Sequence, residues 1–308
     1  MNIYCDGHCD TLKLAFDENK DLNFEKYDFN IINAKNNNPV IQNLAVFVHT
    51  DFENGFESAK NILEYYYSDI SDISLITNKK TLEYVINSNS IGAILSIENG
   101  KAIENNLDNI DYFYRKGIKI MGITWNDENL LGSGCFSEND NGLTDFGIAY
   151  VKQLEKNNIL IDISHTSEKT FWDTMENTNQ TIIATHSNCY NICNHQRNLK
   201  DNQIKAIAER NGIIGICFAS PFLRKSGIAS VEDVVKHIEH IINLVGIDYV
   251  GFGSDFDGLN EENKMQDIKG IKDVKIIENS LKKLGYSQNN INKIMGQNWM
   301  RVLNKVLE

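Results

Sequence analysis

Proline is nearly missing from this chain: Pro39 and Pro221 are the only two in 308 residues, too few for a proline-rich linker to divide it. Long apolar runs are missing as well, and nothing approaches the roughly 18 continuous apolar residues of a membrane span. Positive charge is in deficit. Thirty Lys and Arg face forty-two Asp and Glu, and the formal charge of -12 repels phosphate backbones and anionic lipid head groups, so neither nucleic acid nor a membrane surface is expected as a partner. The opening MNIYCDGHCDTLKL has no basic n-region and no apolar stretch, which argues against a secretory signal. Cys5, Cys9, Cys135, Cys189, Cys193 and Cys217 are scattered, as expected of reduced thiols in a cytoplasm. The CxxxC of Cys189 and Cys193, with His195 beyond, fits no standard zinc or redox spacing. Glycine-rich phosphate loops are absent: the first apolar run leads into CDGHCDTL, and no GxxxxGK[ST] occurs.

What is present is an ordinary globular composition, 42% hydrophobic and 23% charged, with Asn in excess at about one residue in eight. A length of 308 permits either two domains or one α/β barrel. No repeat, low-complexity tract or charge block marks a boundary. A short apolar run followed by a longer amphipathic one does recur. Strands are predicted at Asn2–Cys5, Asn43–Val48, Ile91–Ile97, Ile118–Thr124, Ile159–Ile163, Thr181–Ala184, Gly212–Phe218 and Tyr249–Gly253, most of them rich in Ile and Val and almost continuously hydrophobic, as in strands covered on both faces. Helices are predicted at Phe56–Ser68, Leu82–Asn87, Asn105–Lys116, Asp145–Asn157, Glu168–Glu176, Asp201–Glu209 and Val231–Val245. Thr144, Ser167 and Ser230 serve as N-caps, and Gly117, Gly212 and Gly246 follow helix ends. Eight strands alternating with helices imply a single (β/α)8 TIM barrel over 1–308, with two further helices between Ile271 and Leu307 packed on it.

In barrel enzymes the chemistry sits where strands end. His8 and Asp10 follow the first strand as H-x-D, on one face of an extended segment. Glu98 ends AILSIE, His165 ends LIDISH, His186 ends IIATH and Asp255 ends VGFGSD. Singly, a strand-end histidine is more often a satisfied structural residue than a ligand, Glu98 reads equally as a helix cap, and Asp255 as a loop anchor. Jointly they read differently, because burying six such groups on one rim without a metal is costly. Three histidines with carboxylates suit zinc, one carboxylate bridging two ions that share a hydroxide. His49 is taken as structural, and His237 and His240 as surface or packing residues of a helix.

These segments resemble the membrane (renal) dipeptidases, metallopeptidases of the amidohydrolase superfamily. The resemblance runs from DGHCDTL through SIENG, GITWNDENLLGSG, IDISHTS, THSNCYNICNHQRNLKD and GIDYVGFGSDFDGL to GQNWMRVL. It implies the same barrel and two zinc ions per chain, His8 and Asp10 on the first, His165 and His186 on the second, and Glu98 bridging both. Asp255 then handles the proton of the bridging water and passes it to the leaving amine. Arg197, in HQRNLKD, matches the arginine that grips a dipeptide's free carboxylate, for which a planar fork suits better than Lys; on the residues alone a surface ion pair is the alternative. One departure stands out: where some relatives carry a histidine that helps hold the substrate carbonyl, this chain reads Thr124–Trp125, which leaves Asn126 or a metal to polarise the carbonyl and makes Trp125 a substrate-wall or packing residue. The implied activity is zinc-dependent hydrolysis of dipeptides, a C-terminal D-residue included. The alternatives are an amidohydrolase for another amide, lactam or ester, and a non-catalytic metal-binding member of the fold. With no signal and no hydrophobic tail after MRVLNKVLE, a soluble cytoplasmic enzyme is expected. The resemblance alone suggests a homodimer.

Overall fold

Short Ile- and Val-rich runs become the staves of a parallel barrel. The computed structural model describes residues 3–37, 39–69 and 72–307. Its strands are β1 (Tyr4–Cys9), β2 (Val40–Val46), β3 (Ser74–Leu75), β4 (Ile91–Ile97), β5 (Ile118–Gly122), β6 (Leu160–Asp162), β7 (Ile182–Ile183), β8 (Ile214–Ile216) and β9 (Val250–Phe252). All pairings between them are parallel. They run in the order β7-β6-β5-β4-β2-β1-β9-β8, and a parallel bridge between Ala184 and Ile214 brings the two ends together. The expected (β/α)8 barrel is therefore the fold. The two-residue β3, too short for any periodicity to reveal, pairs with Gly92 and Ala93 of β4, ahead of Leu95, where β5 begins to pair.

The first strand departs from expectation. Its predicted start, Asn2, lies outside the described residues, and its end runs on to Cys9, so His8 lies inside the strand instead of after it. Asp6 and Gly7 interrupt the apolar pattern and hide this extension. One remote partner and two within the strand hold it: the amide of Ser254 donates to Asp6 Oδ1 at 2.8 Å, while the Tyr4 hydroxyl donates to Oδ2 at 2.7 Å and the amide of His8 to Oδ1 at 3.2 Å. The pairing with β2 shifts register between Asp6 and Cys9, as at a bulge that re-aims a side chain. A further helix, Thr11–Glu18, follows directly. The helices Asp201–Glu209 and Val231–Val245 form at the predicted residues.

Strand alternation sorts side chains between two apolar clusters. On β4, Leu95 and Ile97 join the larger cluster, shared with the surrounding helices, while Ile94 joins a smaller one with Cys5, Ile41, Ile120, Leu160 and Ile183. The carboxy-terminal helix Asn298–Leu303 completes the smaller cluster with Trp299, Val302 and Leu303. Trp299 is 1% exposed and donates its indole N–H to the Phe252 carbonyl at 2.8 Å. Gly7 and Gly251 make room for the ring: a Cβ on Gly7 would fall 2.2 Å from the indole.

Candidate metal centre

On several staves the inward residues beyond the apolar cluster are polar. On β4 the series Ile94, Ser96, Glu98 passes from the apolar cluster to the barrel mouth by steps of two. Two of the candidates sit where the chain turns sharply off its strand, His165 at φ 70° and Asp255 at φ 65°. Non-glycine residues adopt this left-handed backbone rarely and at a cost, and such strain collects where a side chain must be aimed.

The turns and strand ends bring all six rim residues together. Glu98 Oε1 lies 3.1 Å from His165 Nε2 and Oε2 lies 3.7 Å from His8 Nε2, so one carboxylate faces two histidines with its two oxygens. His8 Nε2 is 3.4 Å from Asp10 Oδ2 and 3.8 Å from Asp255 Oδ1. His165 Nε2 and His186 Nε2 are 2.7 Å apart, and the rings of His8 and His186 stack at 3.9 Å. Three overlapping sets offer ligand atoms within 4.8 Å of one another: His8, Asp10 and Glu98; Glu98, His165 and His186; and His8, His186 and Asp255.

The donor chemistry fits divalent cations. His8 Nε2 is buried with three carboxylates around it yet makes no hydrogen bond. His165 Nδ1 faces Asn126 Oδ1 at 2.8 Å and His186 Nδ1 faces the Thr185 hydroxyl at 2.9 Å. With both Nδ1 atoms protonated toward those oxygens, the facing Nε2 atoms carry only lone pairs, an arrangement that a cation relieves. Burial first, then the cations His8 and Arg197 among its neighbours, holds each of these imidazoles well below the usual histidine range, which keeps them neutral. Burial acts the same way on His8, but the carboxylates of Glu98 and Asp10 outweigh it and push its pKa up to about 10. Burial and the negative charge of Asp10 raise Glu98 well above the carboxylate range and Asp255 to about 6. Three carboxyl and three imidazole groups thus share one buried site whose acidic charge a bound cation would compensate.

A cavity of about 360 Å³ opens onto this cluster, lined by Asp10, Glu98, His165, Arg197 and Asp255 and walled by Leu14, Phe47, Trp125, Phe222 and Leu259. Arg197 is 4% exposed; its guanidinium donates to the His186 carbonyl at 3.2 Å and lies 5.6 Å over the Phe222 ring, and its Nε has no protein partner. Trp125 and Asn126 both reach the cavity. Trp125 packs on Phe47 at 5.4 Å, His49 at 5.2 Å and His165 at 6.0 Å. The oxygen of Asn126 is engaged by His165.

Several contributors escaped sequence reasoning. Asp162, Thr185 and Phe47 are buried or half-buried in strands or at their ends; the signal for Asp162 was a carboxylate at an inward position of an otherwise apolar stave. Cys217 Sγ lies 3.6 Å from Asp255 Oδ2, and nothing in its sequence neighbourhood marks it. His237 is fully buried, accepting from the Cys189 amide at 2.9 Å and facing the Leu223 carbonyl at 3.1 Å, whereas His240 pairs with Asp201 near the surface. Among the described residues Cys189, Cys193 and His195 form no ligand set.

Comparison with known proteins gives one concordant answer. Residues 2–308 match the family model of the membrane dipeptidases, peptidase family M19. An uncharacterized Klebsiella pneumoniae protein encoded in the pqqA 5′ region is 34% identical over 226 residues, covering 70% of this chain and 82% of that one. The solved dipeptidase AC, a metallo peptidase of family M19, superposes with a TM-score of 0.90 at 23% identity over 99% of both chains. A metallo peptidase from Rhodobacter sphaeroides, solved with a phosphinate mimic of the dipeptide L-Ala-D-Ala, superposes with a TM-score of 0.89 at 22% identity over 98% of this chain and 99% of that one.

Proposed function

This chain belongs to the membrane dipeptidase family and is a peptide-bond hydrolase, and from that premise we propose that it is a zinc-dependent dipeptidase that accepts a D-residue at the C-terminal position. The observation that carries the reading is Glu98, whose two oxygens face His165 on one side and His8 on the other. His8 and Asp10 would hold one ion, His165 and His186 a second, with Glu98 shared, the whole chain acting as one hydrolase domain. Bound there, zinc supplies Lewis acidity toward the peptide carbonyl and toward an attacking water.

The protein's own groups do the rest. Asp255, in the cavity wall beside His8, takes the proton of the attacking water and returns it to the departing amine nitrogen. Such transfer contributes typically ~10²–10⁴-fold. Arg197 turns its unpartnered Nε to the substrate's terminal carboxylate, a charge-assisted contact strengthened by burial. Phe47, Trp125 and Phe222 exclude water around the scissile bond and limit substrate length. Acceptance of a D-residue finds support in the L-Ala-D-Ala mimic held by the Rhodobacter sphaeroides peptidase of the same fold. Among the described residues no helix is long and apolar enough to cross a membrane.

The test is hydrolysis of a panel of L-L and L-D dipeptides by metal-replete and chelated protein. Cleavage that disappears with chelator and returns with zinc is the expected result. Metal-replete protein that leaves every dipeptide intact would overturn the reading.

A further inference from the structure

The ring of His186 is held from behind by a chain of buried groups that do not touch the cavity. Thr185 Oγ lies 2.9 Å from His186 Nδ1 and 2.5 Å from Asp162 Oδ2. Asp162 Oδ1 in turn receives the amides of Ser164 and Thr185 at 3.0 and 2.9 Å and the Ser164 hydroxyl at 2.8 Å. The Ser164 oxygen accepts the main-chain N–H of His186 at 3.1 Å. Asp162, Ser164, Thr185 and His186 are all 3% exposed or less. A threonine hydroxyl has one hydrogen. Three donors already meet on Oδ1 and a carboxylate oxygen only accepts, so that hydrogen goes to Asp162 Oδ2. The Ser164 oxygen also lies 3.3 Å from Thr185 Oγ, but its single hydrogen goes to Asp162 Oδ1 at 2.8 Å, and the Thr185 oxygen is left to accept from His186 Nδ1. Only the imidazole tautomer with hydrogen on Nδ1 satisfies it.

We propose that Asp162 and Thr185 are positioning residues that lock His186 as the Nδ1–H tautomer, so that its Nε2 lone pair is permanently aimed at the metal centre. The inference rests on His186 being a metal ligand. It assigns to these residues the orienting role that carboxylates and carbonyls play behind metal-bound histidines, here with a hydroxyl interposed. The inserted hydroxyl explains why a carboxylate on β6 can govern a histidine that follows β7. One buried clamp thereby holds both the ring and the main chain of His186.

The decisive variant is Thr185→Val, which keeps the shape and removes the hydroxyl, with Thr185→Ser as the conservative rescue. Zinc affinity is measured by competition with a chromophoric chelator, and the His186 tautomer by long-range ¹H–¹⁵N imidazole correlation in the metal-free protein. Thr185→Val is expected to weaken one of the zinc sites roughly 10–100-fold and to populate the Nε2–H tautomer, while Thr185→Ser stays within about threefold of wild type. Wild-type affinity and tautomer in Thr185→Val would overturn the proposal, and so would a Thr185→Ser protein as impaired as Thr185→Val, which would assign the effect to packing. Asp162→Asn gives an independent reading, because a carboxamide donating to Thr185 Oγ frees the hydroxyl hydrogen for Nδ1 and reverses the tautomer; an unchanged Nδ1–H in a folded Asp162→Asn protein would also overturn it. Should the wild type itself bind no divalent ion, the fault lies with the metal reading and not with this clamp.

Discussion

Replacing His237 with leucine isolates a buried histidine that serves the fold without touching the metal centre. His237 ties the amide of Cys189 to the carbonyl of Leu223, and neither residue is more than 1% exposed. Leucine fills most of the ring's volume but leaves a buried N–H and a buried C=O unpaired, each costing about 1–3 kcal/mol, so a loss on the order of 3–5 kcal/mol is expected near pH 7. Acid adds a second signature. Burial lowers the pKa of His237 to about 4, with His240 and Lys236 acting in the same direction and Asp233 and the Leu223 carbonyl against it. The unfolded chain therefore takes up a proton near pH 6.5 and the folded one only near pH 4, so this histidine's contribution is complete above pH 6.5 and is lost as the pH falls between those values. At about 1.36 kcal/mol per pH unit the wild type forfeits roughly 3 kcal/mol that the leucine variant never had. Urea unfolding of both proteins at a series of pH values measures this: the stability gap is wide at pH 7 and nearly closes by pH 4. A gap that stays constant or widens on acidification would refute the argument. Cys189 also opens the segment that carries Arg197, pairing with Leu199 at its far end, so the same variant is expected to raise KM more than it lowers kcat.

Asp255→Asn is expected to lower kcat by roughly 10²–10⁴-fold with zinc content unchanged, as read by metal analysis beside steady-state kinetics; full kcat would remove Asp255 from the proton path. Arg197→Lys keeps the charge but loses the fork, and should reduce kcat/KM by roughly 10-fold or more, chiefly through KM, for substrates with a free terminal carboxylate. An amidated dipeptide should be indifferent to that change. Gly7→Ala would place a Cβ 2.2 Å from the Trp299 indole and 2.8 Å from the Thr185 carbonyl. Overpacking of this kind costs about 1–3 kcal/mol or more, visible as a lower Tm, and an unchanged Tm would show that the indole has room to retreat.

Much of the architecture was legible because parallel-barrel strands are buried on both faces and announce themselves as apolar runs between capped helices. Asp201–Glu209 and Val231–Val245 could be read to the residue, since each has one apolar face and, for the second, a serine at its start. β1 was misjudged at its far end because Asp6 is held as strand by the Ser254 amide and by pairing with Gln42 and Phe252, none of which is visible from local pattern. β3 is held only by its pairing with β4. At the site, the rim residues could be named from their strand ends. The groups behind them could not: Cys217 lies against Asp255, Asp162 reaches His186 only through the Thr185 hydroxyl, and His237 reaches Cys189 across 48 residues of chain.

The sequence by itself determined what depends on periodicity and on the chemistry of single residues: the alternation of strands and helices, the barrel that alternation implies, and which side chains at strand ends could bind a metal or move a proton. The tertiary structure alone decided what depends on distance between strands. Closing the barrel set Glu98 between two histidines, brought His165 and His186 Nε2 to 2.7 Å, and seated Trp299 against Gly7 and Gly251. The physical reason is that hydrophobic pattern is a local, one-dimensional property of the chain, whereas hydrogen bonds, ligand sets and tautomers are fixed by partners that only the closed sheet makes neighbours.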